Sequence, residues 1–257
     1  MNVQLRLPGI VGGLGPAAHI EFEKRLLAEG ERRGAHCDQD HISWVLVSAT
    51  NVPERTEALL AHETRDATSE LAAAAARLVR AGADFAAVPC NTAHALGDAV
   101  MARVPLPWLD LIDVTTEELA KRVPRGARVL VLETTGTMQT GLYRERLTNA
   151  GFEAVEFEPD SAAQAGVMRA IFDAEFGIKA TGTRVDPRAL ALAAGAIPQA
   201  GEVACAIAGC TELSIAFNVP NDVPLQILDP LDVLAAATYD VALGLRPLPP
   251  LTAAARR

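Results

Sequence analysis

The chain has 257 residues, 50% of them hydrophobic and only 4% aromatic, and carries a formal charge of −9 at neutral pH. That length suffices for one large or two smaller domains with a core of Ala, Val, Leu and Ile. The acidity speaks against nucleic acid or an anionic membrane as a partner, because phosphate binding needs a basic surface.

In chain order, short apolar runs predict strands at 8–12, 43–47, 85–88, 128–132, 154–157, 203–208 and 225–228. Between them, amphipathic or Ala-rich stretches predict helices, among them 17–29, 64–81 and 138–150, with Gly82 and Gly151 where C-caps belong. Alternating strands and helices predict an α/β fold with mostly parallel sheets. Residues 1–6 lack the basic region and apolar stretch of a secretory leader. Every apolar run is broken by a charge, Pro or Gly before it could span a bilayer. The expectation is a cytoplasmic protein. In that reducing setting Cys37, Cys90, Cys205 and Cys210 read as packing or chemical residues rather than disulfides. Their spacing fits no structural metal site, and no metal is expected.

The two halves resemble each other. Gly15, Phe22, Arg25 and Leu26 are answered at a constant offset by Gly136, Tyr143, Arg146 and Leu147. Val88-Pro89-Cys90-Asn91-Thr92 is answered by Ala208-Gly209-Cys210-Thr211, and the run from Pro107 to Asp113 by that from Pro224 to Asp229. The repeat predicts two similar α/β domains related by pseudo-twofold symmetry, 1–115 with 225–257 and 116–224, with the active site in the cleft between them. Cys90 and Cys210 then fall just past a strand in each half, where open α/β sheets bind ligands. Cys37 and Cys205 have no such equivalence and read as small packing residues.

Two thiols across a cleft suit inversion of a carbon centre. One, as thiolate, removes a proton from one face while the other returns a proton to the opposite face, and the roles exchange for the other enantiomer. Asn91, Thr92 and Thr211, beside backbone N–H groups, would hydrogen-bond a substrate carboxylate as charge accumulates on it. No motif for an imine-forming cofactor is present, so no cofactor is expected. Glu133, Thr134, Thr135 and Thr137 occupy the second-half counterpart of the glycine loop; their hydroxyls either bind substrate or cap the next helix. His94, four residues beyond Cys90, either tunes that thiol or is a structural histidine.

The segments Gly12-Gly13-Leu14-Gly15-Pro16, Val52-Pro53-Glu54-Arg55-Thr56, Pro89-Cys90-Asn91-Thr92-Ala93-His94 and Gly209-Cys210-Thr211-Glu212-Leu213 resemble those of the aspartate/glutamate racemase superfamily. Gly12-Gly13 in the first loop and Glu212 after the second Cys-Thr are most similar to the aspartate branch; the glutamate-only branch has Asp and His there. The resemblance implies a cofactor-independent amino-acid racemase working as a homodimer. It also implies that Arg55 and Lys179 hold the side-chain carboxylate of an amino dicarboxylate, which Arg can grip bidentately. Leu14, where relatives commonly carry Met, lines the site. The alternatives are a racemase of glutamate or another amino acid, and a non-catalytic binding protein on the same fold. Residues 29–40 and 181–186 read as surface insertions or caps over the cleft.

Overall fold

A computed structural model describes residues 4–218, 223 and 225–251. The first half contributes β1 (Pro8–Gly12), β2 (Val45–Ser48), β3 (Phe85–Ala87) and β4 (Trp108–Leu109), paired all-parallel in the order β2-β1-β3-β4. The second contributes β5 (Arg128–Val131), β6 (Glu153–Val155), β7 (Cys205–Ile207) and β8 (Ile227–Leu228), in the matching order β6-β5-β7-β8. Both sheets thus share one topology, as the repeat predicts. Among the described residues no helix is long and apolar enough to cross a membrane.

Side chains alternate across each strand, and the alternation sorts the core into layers. Ile10, Phe85, Ala87, Val129, Val131 and Ile207 point into a central core shared by both halves. Their neighbours Val11, Ala86 and Val88 face a core private to the first half. Leu130, Leu132, Ala206 and Ala208 do the same in the second. Both faces of each sheet are covered, so the strands read as continuous apolar runs rather than alternating ones.

Three expectations need correction. The predicted helix 138–150 is two, Thr135–Thr140 and Leu142–Asn149, because Gly141 between them adopts a left-handed φ of 68° and turns the chain. Strand β4 has no counterpart among the predicted strands, since two residues are too few to show a period. Residues 227–228, placed by sequence with the first domain, pair with β7 in the second sheet. Only the helix that follows, Pro230–Ala242, returns to pack on the first-half helices Pro16–Arg32 and Leu111–Arg122. Pro224, where the second echo begins, and residues 252–257 lie outside the described residues.

The matched arginines lock these returns in place. Arg25 reaches Asp229 at 2.9 Å and also pairs with Asp232. Arg146, in the second half, reaches Asp113 at 3.1 Å and Asp110 at 3.9 Å. Asp229 and Asp110 are N-caps of the helices Pro230–Ala242 and Leu111–Arg122. Structurally, then, Asp110 answers Asp229 and Asp113 answers Asp232, a shift from the sequence echo, which equated Asp113 with Asp229.

The halves also meet where Gly136 packs against the helix Arg55–Leu60. A Cβ on Gly136 would lie 2.7 Å from Thr56 Cα and 2.9 Å from its Cγ2. Backbone cannot yield there as a flexible side chain would, so Gly136→Ala is expected to cost about 1–3 kcal/mol. Thermal unfolding followed by circular dichroism checks this, and an unchanged midpoint would contradict the close approach.

Candidate active site

Cys90 follows β3 after Val88-Pro89, and Cys210 follows β7 after Ala208-Gly209, so the two thiols occupy matching addresses. The chain is forced tight behind Cys210: a Cβ on Gly209 would lie 2.9 Å from Val131 Cγ1. Beyond Cys90 the chain enters a 3-10 turn, Thr92–Leu96, and beyond Cys210 the short helix Thr211–Phe217. Both thiols are buried, 7% and 6% exposed.

Both line one inner pocket. Arg55, Asn91 and Thr92 join Cys90 from the first half; Thr134, Lys179 and Thr211 join Cys210 from the second. The free space between them is about 10 Å³, scarcely that of one water. Outward lies a wider cleft of about 270 Å³, walled by Leu14, Pro16, Ala17, Val52 and Ile178. Glu54, Arg55, Lys179 and Glu212 line both spaces and form the neck between them. Leu14 therefore belongs to the outer cleft. Residues 29–40 and 181–186 contribute nothing to either lining.

Charge at the neck is balanced. Lys179 Nζ lies 2.9 Å from Glu212 Oε1 and 5.4 Å from the centre of the Phe172 ring. The Cys210 thiol donates to Glu212 Oε2 at 3.0 Å. Burial would raise the Glu212 carboxyl, but Lys179, the Cys210 thiol and Arg55 together hold it below the usual carboxylate range. Burial, reinforced by the Glu212 charge, pushes the Cys210 thiol well above the ordinary thiol value, and Lys179 only partly offsets this. The Arg55 guanidinium donates to the Leu14 carbonyl and faces Cys90, Glu54 and Glu212, while its Nε is buried with no partner.

A sequence profile of the Asp/Glu/Hydantoin racemase family matches residues 11–238. The chain belongs to that family. This racemase-family chain is 28% identical over 149 residues to the broad specificity amino-acid racemase RacX of Bacillus subtilis (strain 168), a match covering 57% of this chain and 63%, just under two thirds, of that relative. Its structure is similar to that of the Picrophilus torridus aspartate racemase, with a TM-score of 0.74 and 26% identity, covering 92% of this chain and 94% of the other. The glutamate racemase of Francisella tularensis shares the fold, with a TM-score of 0.62 at 14% identity over 93% of this chain and 81% of the other.

Within this family member the threonines behave in two ways. Thr134 caps the helix Thr135–Thr140 by accepting the Thr137 N–H at 3.2 Å. Its hydroxyl also accepts from Thr56 at 3.1 Å, and Thr137 meets Thr92 at 2.8 Å. These hydroxyls stitch the two halves together behind the thiols; Thr137 does not line the pocket itself. His94 contacts the Val88 carbonyl at 3.1 Å through Nε2 and packs edge-on against Trp108. Cys205 is buried in β7, its thiol pushed up to about 11 by burial, as befits a packing residue. Cys37 is exposed and donates to Asp40 at 3.4 Å, so the packing role expected of it fails. Sequence reasoning used Glu212 only to tell branches apart and missed its place beside both Lys179 and Cys210. Among the described residues no group of three or more His, Cys, Asp or Glu is arranged to hold a metal ion.

Glu133, behind the Cys210 loop, is wholly buried with no N–H or hydroxyl donor on its carboxyl, and Glu156 lies within its hydrogen-bonding reach. Burial first, then the neighbouring Glu156, push its acid well above the usual range. A raised folded-state value means that stability is full below the unfolded carboxyl value and falls as pH rises toward the folded one. Glu133→Gln removes that loss, so its stability relative to the parent is expected to grow as pH rises from 5 to 8. Urea unfolding at the two pH values measures it, and a pH-independent difference would count against a neutral buried acid.

Proposed function

We propose that the protein racemises an acidic amino acid, aspartate foremost, by moving a proton between Cys90 and Cys210 across the substrate Cα without a cofactor. One observation carries this reading: thiols from matching positions in the two halves line a single buried pocket, each with its own cation, Arg55 beside Cys90 and Lys179 beside Cys210. A proton transferred inside a pocket this small is shielded from water, which strengthens every charge interaction around the carbanion.

In one direction the Cys90 sulfur takes the α-proton and the Cys210 thiol delivers another to the opposite face. The reverse direction starts where this one ends, with Cys210 as thiolate and Cys90 as thiol: Cys210 takes the α-proton and Cys90 delivers the other. Lys179 stabilises the Cys210 thiolate, and Glu212 Oε2 accepts from the sulfur at 3.0 Å whenever Cys210 is protonated. Donors from Asn91, Thr92 and Thr211 hold the α-carboxylate. The unpartnered Arg55 Nε suits a side-chain carboxylate. Because the inner pocket holds about 10 Å³, the neck side chains part to admit substrate.

A second reading is favoured by the Lys179–Glu212 pair: with that charge already compensated, only Arg55 is left to demand a second carboxylate, and the apolar outer cleft accepts other side chains. The Bacillus relative, a broad specificity amino-acid racemase, is of this kind. Incubating the protein with each enantiomer of aspartate, glutamate and several neutral and basic amino acids in deuterated water, with no cofactor added, tests both. Aspartate is expected to lose its optical activity while gaining one deuterium at Cα. Faster turnover of neutral or basic substrates would select the second reading, and inertness of every amino acid would sink both.

A further inference from the structure

We propose that Tyr143 is a positioning residue that fixes which end of the Asn91 amide faces the reacting pocket; this rests on the racemase reading for its consequence but not for its geometry. The Tyr143 hydroxyl, on the second-half helix Leu142–Asn149, donates to Asn91 Oδ1 of the first half at 2.6 Å. Both side chains are shut away from solvent, Tyr143 at 0% and Asn91 at 1% exposure. An asparagine amide has one acceptor end and one donor end. With Oδ1 engaged by the tyrosine, the donor end is what remains. Asn91 Nδ2 is buried with no hydrogen-bond partner, and Asn91 lines the inner pocket beside Cys90.

A buried donor without an acceptor is unfavourable, so its persistence calls for an acceptor that arrives with a ligand. A substrate carboxylate oxygen supplies one. The flipped amide would present Oδ1 to that carboxylate, oxygen against oxygen, and would leave the tyrosine hydroxyl without this acceptor. Burial also keeps Tyr143 in its protonated, donating form. The lock is one-sided. The first-half counterpart of Tyr143 is Phe22, which has no hydroxyl, and the residue after Cys210 is Thr211, whose hydroxyl can turn either way. The pseudo-twofold is therefore broken at this point, which assigns the carboxylate held by a fixed donor to the first half.

The test is a double-mutant cycle with Tyr143→Phe and Asn91→Ala. Tyr143→Phe keeps the buried ring and is expected to lower kcat/KM about tenfold. Combined with Asn91→Ala it should add less than twofold to the loss from Asn91→Ala alone, because Tyr143 acts through Asn91. Losses that multiply would overturn the proposal. Asn91→Asp, which keeps an acceptor for the tyrosine but removes the donor, should lose as much as Asn91→Ala, and retained activity would overturn it equally. A substrate-free readout separates this from the racemase reading. In a proton–nitrogen-15 spectrum, the Asn91 NH₂ pair, identified by its disappearance in Asn91→Ala, should move in Tyr143→Phe. If it moves while the parent protein racemises nothing, the positioning stands and the racemase reading falls. If it stays in place, the positioning falls.

Discussion

Cys90→Ala and Cys210→Ala are each expected to lower aspartate racemisation by about 10³-fold, the scale on which a single general acid or base contributes. Because the two enantiomers are equal in free energy, kcat/KM must be the same in both directions for any variant, so each replacement slows both directions alike. Exchange without inversion is different. The cysteine that survives can still remove and return a proton on its own face, so each variant should exchange the α-proton of one enantiomer only, and of opposite enantiomers in the two variants. Following optical activity and deuterium at Cα in parallel separates the two processes. Full racemisation by either variant would rule out a mechanism using both thiols.

Glu212→Ala is expected to cost about 3 kcal/mol of stability and to remove most activity. The stability loss follows from stranding Lys179. Breaking a buried ion pair by removing one partner typically costs 3–5 kcal/mol, and the lysine's 24% side-chain exposure puts this case at the low end. For a chain of this size the midpoint of thermal unfolding should fall by roughly 6–12 °C. The activity loss has a separate origin, since Cys210 loses the acceptor that lies 3.0 Å from its sulfur. The double variant Glu212→Ala/Lys179→Met separates the two effects: thermal unfolding should return toward the parent while racemisation stays low. Recovery of activity along with stability would reduce Glu212 to a structural partner of Lys179. The pair also gives acid sensitivity with a defined sign. Glu212 has a lowered folded-state value, so its contribution is present above the ordinary carboxylate range and is lost as pH falls through the folded value.

Much of the site was legible because it is written in local context. Cys90 and Cys210 stand out through their polar flanks and matched positions, and strands buried on both faces advertise themselves as apolar runs whatever they pack against. Arg25 and Arg146 were visible as a repeat, but not as clamps on Asp229 and Asp113, because their partners are far along the chain. Cys37 shows the limit from the other side: the general preference of cysteine for the interior pointed to packing, whereas the polar run 36–40 around it marks the surface where it lies.

The sequence by itself determined the α/β class, the duplicated halves and the equivalence of Cys90 with Cys210, since period, spacing and flanking residues are properties of the chain alone. Only the tertiary structure decided that Glu212 stands between Lys179 and Cys210, that Thr134 and Thr137 stitch the halves together, and that Tyr143 reaches Asn91. Apart from the local contact of Cys210 with Glu212, each of these depends on how residues distant in sequence are brought within about 3 Å when chain segments pack together, a matter of shape complementarity that residue type does not encode.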